Sequence, residues 1–255
     1  MNFFAYQSAA ERYARCRPYF HPFVIEKIKT YLQLSKPVAQ AVDVGCGTGQ
    51  STLALKAIAT SIVGVDISAA MLAVAPQDPV IRYIEASAED LPLPAVFYDL
   101  LTTSMAFHWF DPRRFLAQAQ RLLKLSGWLI IYMNGFGGQM QGNADFAEWN
   151  TQTYLARYPS PPRNREPLSA EQAREFGFRF VYQEIYENDV DFSVDELAAY
   201  LTTQSNVIAA VEQGAEHIND VYAWLVAELT PLFNTPKATF HFGGYIWYLQ
   251  KIEES

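Results

Sequence analysis

The spacing of apolar residues changes several times along the chain, and each change marks an element. Val38-Ala-Gln-Ala-Val-Asp-Val44 is a mostly apolar run closing on valine and predicts a strand. Gln50 to Ile58 has helical spacing and predicts a helix. Ser61-Ile-Val-Gly-Val-Asp66 predicts a second strand, followed by a helix over 67–75. A third strand is predicted over 80–85 and a fourth over 97–106. Asp111-Pro112 opens a helix running to Lys124, with the acid as cap and the proline at its first position. A fifth strand is predicted over 127–133. Strand and helix alternate throughout, which is the pattern of a parallel sheet covered on both faces.

Beyond residue 133 the alternation stops. Gly135, Gly137, Gly138 and Gly142 read as a flexible loop, followed by a helix over 144–157 with Phe146, Trp149 and Tyr154. Pro159-Ser-Pro-Pro-Arg-Asn-Arg-Glu-Pro167 is a long loop of the kind that is functional or disordered. A short helix over 169–176 precedes a sixth strand over 178–190. Ser193-Val-Asp-Glu196 is a capping box that opens a helix to Thr202. Helices over 206–213 and 217–232 follow, and 237–251 is the seventh strand. The expected architecture is one α/β domain over 1–255, a seven-stranded mostly parallel sheet, with lid insertions at 135–167 and 191–233. Residues 1–36 predict helices broken at Pro18 and Pro22.

Composition narrows the class. The chain has 255 residues, half of them hydrophobic, enough for a large core. The net charge of −8 disfavours general binding to nucleic acid or anionic membrane. No apolar run approaches the length of a membrane span, and the first residues lack the apolar region of a secretory signal. Cys16 and Cys46 are the only cysteines, which suggests a reducing cytoplasm. His21, His108, His217 and His241 lack metal-ligand spacing, so no metal is expected.

The chemistry gathers at Asp43-Val-Gly45-Cys46-Gly47-Thr-Gly49, between the first strand and the first helix. Glycines let a backbone turn tightly and lie close to a ligand. A dinucleotide fingerprint would place its third glycine at position 50, where Gln50 stands, and Gly49 comes one residue early. The pattern D-x-G-x-G-x-G resembles the first motif of the class I S-adenosylmethionine (SAM) dependent methyltransferases. Asp66 follows Gly45 by 21 residues at the end of the second strand, the distance at which an acid meets a cofactor ribose.

The resemblance extends over about 125 residues and implies roles position by position. Tyr13-Ala-Arg-Cys-Arg17-Pro18 looks like a segment that folds over the cofactor, and by that likeness Tyr13 and Arg17 bind it, with Arg17 on the methionine carboxylate. Ala86-Ser87-Ala88-Glu89-Asp-Leu-Pro is similar to the adenine-contact segment, with Ser87 where an aspartate is common. Cys46, Ile67, Met71, Ser104 and Trp109 belong to the implied cofactor set together with Asp43, the three glycines, Asp66, Ser87, Ala88 and Glu89. His108, in the His-Trp-Phe run after the fourth strand, is the candidate catalytic residue. The likeness is strongest to small-molecule methyltransferases, including the trans-aconitate and biotin-pathway malonyl-ester types.

Two other functions share some of these residues. An NAD(P)-dependent oxidoreductase would use the same strand, glycine turn and ribose acid, and a non-catalytic SAM-binding protein would keep the cofactor positions alone. The expected acceptor is a small molecule, with an anion favoured because residues 1–36 hold six Lys or Arg against Glu11 and Glu26. Arg163 and Arg165 add positive charge, and Tyr6, Phe107, Trp109, Trp149 and Tyr154 suit an apolar acceptor body. The expected assembly is a monomer or homodimer without nucleic-acid or membrane partners.

Overall fold

Strands β1 (Val38–Val44), β2 (Ala59–Asp66), β3 (Ile81–Glu85), β4 (Tyr98–Ser104) and β5 (Leu123–Tyr132) pair in parallel in the order β3-β2-β1-β4-β5. The order reverses between β1 and β4, where open α/β sheets bind ligands at the strands' carboxyl ends. The remaining strands are β6 (Gly135–Met140), β7 (Phe178–Glu187), β8 (Val190–Phe192) and β9 (Ala238–Lys251). This computed structural model describes residues 6–163 and 167–253. The chain divides into two units.

The first unit comprises residues 19–133, 163–185 and 245–255. It holds β1 to β5, and the C-terminal half of β9 pairs antiparallel with β5 from Trp128↔Gln250 to Tyr132↔Ile246. The β1 and β4 residues facing the middle of the sheet are fully buried, which is why both read as near-continuous apolar runs. One core joins Val44, Val65, Leu101, Ile131 and Trp247 to Phe115, Leu116 and Ala119 of the helix Pro112–Leu122. Asp111 caps that helix by accepting from the Arg114 amide at 3.1 Å. The helix stops at Leu122, earlier than expected, because β5 begins at Leu123 and reaches Gly127 through Ser126 at φ +63°.

The second unit comprises residues 1–18, 134–162 and 186–244. Its core packs Phe146, Trp149, Tyr154 and Tyr158 with Leu197, Tyr200, Leu201, Leu225 and Phe240. Ser193 and Ser169 both form capping boxes, the first opening Val194–Leu201 and the second opening Ala170–Glu175 of the first unit. The glycine-rich run expected to be a loop forms β6 instead, paired with β9 at Gly135↔Gly243 and Phe136↔Phe242. A Cβ at Gly137 would stand 2.9 Å from the His241 carbonyl oxygen, so the absence of a side chain is what admits this strand. β8 is likewise additional, and β7 ends at Glu187. Among the described residues there are thus nine strands where seven were expected.

The segment 1–36 is divided between the units. The helix Gln7–Cys16 lies in the second, and His21–Tyr31 lies in the first.

Candidate cofactor and acceptor site

The carboxyl ends of β1, β2, β3 and β4 carry Asp43, Gly45, Cys46, Gly47, Gly49, Asp66, Ile67, Met71, Ser87, Ala88, Glu89, Ser104, His108 and Trp109, all in the first unit. Tyr13 and Arg17 lie in the second unit, in a cluster of their own.

The glycine turn is built from two crowded positions and one open one. A Cβ on Gly45 would stand 2.5 Å from the Ala106 Cβ, and one on Gly49 would stand 2.4 Å from the Tyr83 hydroxyl oxygen. Among the described residues, and apart from its chain neighbours, nothing lies within 4 Å of a Cβ built on Gly47. Gly47 is the position where the backbone faces free space, as close approach to a ligand requires. Its amide donates to Asp66 Oδ2 at 2.8 Å, and the Ser68 amide donates to Oδ1 at 2.9 Å. Burial raises the Asp66 pKa against the pull of these backbone donors. Ser68 itself caps the helix Ala69–Ala73 through the Met71 amide, so Asp66 is not that helix's cap.

Asp43 turns inward. Its Oδ2 accepts from Ser51 at 2.6 Å and Thr52 at 2.8 Å, and its Oδ1 accepts from Thr102 at 2.9 Å. The residue is fully buried, and burial pushes its pKa up to about 6 despite the three hydroxyls. In this arrangement Asp43 ties β1, the helix Gln50–Ala54 and β4 together beneath the glycine turn. Cys46 is buried beside it, with its thiol pKa raised chiefly by burial.

Other expected positions differ in what they present. Ile67 is 59% exposed next to Asp66, an apolar side chain left open at a strand end. Met71 and Ala88 are buried. The Ser87 hydroxyl donates to Glu89 Oε2, and Glu89 Oε1 accepts from the Asp111 amide at 3.0 Å. This pins the segment after β3 to the start of the helix Pro112–Leu122. Ser104 is buried at the end of β4, with its hydroxyl 3.5 Å from His21 Nδ1. His108 and Trp109 sit on a single 3-10 turn, Phe107–Trp109, whose Phe107 is buried against Phe115 and Trp247. Burial, and then the charge of Arg163, lower the His108 pKa to about 4.

In the second unit the Arg17 guanidinium donates to the Thr203 carbonyl at 2.8 Å and lies 4.6 Å from the Tyr13 ring and 5.1 Å from the Tyr200 ring. Arg12 pairs with Glu212 at 3.1 Å. In the first unit Lys27 pairs with Glu184 at 2.7 Å. With Lys29 against Glu26 at 3.6 Å, three of the six basic residues of the N-terminal segment pair with acids of their own unit. Trp149, Tyr154 and Phe107, expected to suit an acceptor, are core residues. Arg165 lies outside the described residues.

Two features escaped the sequence reading. Tyr83 lies across Gly64 and reaches Gly49, its hydroxyl buried without a partner among the described residues. The register Asp43↔Gly64↔Tyr83 carried that signal, since residues paired across a sheet share a face. His21 is buried with Nδ1 3.2 Å from the Tyr132 hydroxyl, and no local pattern announces that contact. Among the described residues no group of three His, Cys, Asp or Glu is placed to hold a metal, and no helix is long and apolar enough to cross a membrane.

Comparison with known proteins agrees with this geometry. Residues 42–131 match the family described as the methyltransferase domain. Over those residues the chain is similar to that family, and its Rossmann-like α/β fold is the one its motifs imply. Trans-aconitate 2-methyltransferase of Deinococcus radiodurans is 35% identical over 126 residues, 48% of this chain and 45% of that protein. The chloroplastic 2-methyl-6-phytyl-1,4-hydroquinone methyltransferase of Arabidopsis thaliana is 37% identical over 100 residues, 37% of this chain and 30% of that protein. The chain spans about half the length, or less, of the curated relatives it matches. A solved structure of a candidate type II methyltransferase from Anaeromyxobacter dehalogenans superposes with a TM-score of 0.67 at 25% identity, covering 89% of this chain and 95% of that one.

Proposed function

We propose that this protein transfers the methyl group of SAM to an oxygen of a small carboxylic acid. The observation that carries the cofactor reading is the bond from the Gly47 amide to Asp66. It fixes a carboxylate at the end of β2 beside a glycine with open space over it. A carboxylate has about four acceptor positions, so beyond its backbone donors Asp66 retains capacity for a ribose hydroxyl. Exposed Ile67 offers an apolar surface for a purine at the same strand end. The helix Gln50–Ala54 is five residues long, a short seat for a pyrophosphate. These features favour SAM over NAD(P).

The cofactor, when bound, supplies an activated methyl on a sulfonium, so the protein's task is to place the acceptor oxygen in line and exclude water. Asp66, Ile67 and the Ser87–Glu89 segment would hold the adenosine end. Arg17, with no carboxylate paired to it among the described residues, is the candidate for the methionine carboxylate, with Tyr13 against its face. The relative's trans-aconitate and the positive charge of Arg163 favour an acid as acceptor. The two free cysteines and the acidic surface fit a cytoplasmic protein.

Calorimetric titration with S-adenosylhomocysteine and with NAD tests the cofactor. Micromolar binding of S-adenosylhomocysteine and no heat from NAD are expected. The reverse pattern would assign an oxidoreductase. Binding without turnover of any acceptor in a panel of acids, phenols and amines would leave a SAM-binding protein.

A further inference from the structure

The Trp109 ring lies close to both a cation and an imidazole. The Arg163 guanidinium carbon lies 5.1 Å from the centre of its ring, and the His108 ring lies 4.8 Å from it at 46°. All three belong to the first unit, and His108 and Trp109 lie just past the carboxyl end of β4. The 3-10 turn that bears His108 and Trp109 is held by backbone bonds from Trp109 to Ala106 at 2.8 Å and from Phe110 to Phe107 at 3.1 Å. Its first residue, Phe107, is locked in the core, so the other two are presented on a fixed base.

His108 Nδ1 is buried and has no hydrogen-bond partner among the described residues. A buried polar atom without a partner is costly, and native structures retain one where a ligand or water completes it. A packed histidine that merely fills space would be the exception to that rule. A general base is the second reading. Its conjugate acid should match the working pH. With a pKa near 4, His108 holds a proton about a thousandfold too weakly at pH 7. A neutral ring in its Nδ1–H tautomer makes that atom a donor awaiting an acceptor. Arg163, whose charge reaches the same ring, favours that atom being anionic.

We propose that His108, as a neutral Nδ1–H donor, and Arg163 together hold the carboxylate of the acceptor, so that this corner selects carboxylic acids and takes no proton from them. The inference rests on the methyltransferase reading above. A carboxylate oxygen forms the new O–CH3 bond with its own lone pair. The sulfur–methyl bond breaks with its electron pair going to sulfur. The carboxylate and sulfonium charges cancel, and no proton is released. Phenols, alcohols and ammonium groups must each lose a proton, and His108 is too weak a base to take it. They are disfavoured at this site.

The experiment begins with S-adenosylhomocysteine binding to the wild type, which checks the reading beneath this one. Methyl transfer is then assayed on aliphatic and aryl carboxylic acids, each beside its matched amide, alcohol or phenol, and amine. Acids alone are expected to turn over. For the best acid, binding to the protein saturated with S-adenosylhomocysteine is measured by calorimetry in wild type, His108→Asn, His108→Ala and Arg163→Ala. His108→Asn keeps an N–H donor and cannot act as a base. It should hold KM and acid affinity within about threefold, while His108→Ala and Arg163→Ala weaken both at least about tenfold. The kcat should stay flat between pH 5.5 and 8. Binding of S-adenosylhomocysteine combined with preference for phenols or amines, or with no acid turned over, would overturn this inference and leave the cofactor reading standing. Loss of kcat in His108→Asn, or a kcat that rises with a pKa between 6 and 7, would make His108 a base instead. Failure of S-adenosylhomocysteine to bind at all would overturn both.

Discussion

The backbone amide of Gly47 donates to Oδ2 of Asp66 at 2.8 Å. The bond ties the turn after β1 to the acid that closes β2, two strands that pair from Val38↔Ala59 to Val44↔Val65. The Ser68 amide holds the other oxygen. The acid is therefore oriented by the backbone before any ligand arrives, and it in turn fixes the open glycine of the turn.

Replacing Asp66 with Ala removes both services. Hydrogen bonds to charged groups contribute about 1.5 to 3 kcal/mol each. The dissociation constant for S-adenosylhomocysteine should rise at least roughly tenfold. Calorimetry on the folded variant checks this, with a circular dichroism melt to confirm folding. An unchanged constant would mean that Asp66 serves only the turn.

Gly49 and Tyr83 are coupled through one atom. A Cβ on Gly49 would stand 2.4 Å from the Tyr83 hydroxyl oxygen and 3.0 Å from its ring carbon and from Ala75. Gly49 also has φ +76°, a region that costs an L-residue about 1–2 kcal/mol. Gly49→Ala should therefore destabilise by that strain plus the collision. Tyr83→Phe removes the oxygen, which has no partner among the described residues, and should by itself be close to neutral. The double variant is expected to be more stable than the sum of the singles by about 1 kcal/mol, read from urea unfolding. Strict additivity would show that the ring swings aside at no cost.

The parallel strands and the glycine turn were legible because their physics is local. A strand buried on both faces is an unbroken apolar run, and a turn that must admit a ligand shows glycines at short spacing. The role of Asp43 was less so. Beside the turn it reads as a cofactor group, and the structure adds three internal donors to it, Ser51, Thr52 and Thr102. Ser51 and Thr52 stood in plain view after Gly49. Thr102, 59 residues away, became a partner only through the pairing of β1 with β4. β6 was missed because its glycines signal flexibility locally, while the tight approach to His241 that requires Gly137 is a tertiary fact.

Arg17 offers a test of what the resemblance implies. Its guanidinium already donates to Thr203 and lies against two tyrosine faces. Arg17→Ala should lower stability by about 1–3 kcal/mol through lost packing and a lost bond. Arg17→Lys keeps the charge but not the planar fork, and should recover less than half of that. If the arginine also binds the methionine carboxylate, both variants weaken S-adenosylhomocysteine at least about tenfold, whereas 5′-methylthioadenosine, which lacks that carboxylate, is unaffected. Equal loss for both ligands would assign Arg17 a purely structural role.

His21 should make the protein sensitive to acid. It is 7% exposed, with Nδ1 against the Tyr132 hydroxyl and the Phe20 ring 4.1 Å away. Burial lowers its pKa from 6.5 to about 3. Between these values the unfolded chain binds a proton that the folded one refuses, so stability falls as pH falls from 6.5 toward 3. At pH 4.5 the unfolded side is favoured by two pH units, about 3 kcal/mol. Asp43 works in the opposite sense. Its folded pKa of about 6 lies above the ordinary 3.8, so its contribution is present at low pH and lost as pH rises through 6. The net curve mixes the two, and a variant separates them. His21→Asn keeps a polar group without a titrating one. Between pH 7.5 and 4.5 the wild type should lose about 3 kcal/mol more than His21→Asn, measured by urea unfolding at each pH. Equal losses would mean that the imidazole takes its proton in the folded state, and that the packing around it yields to let water in.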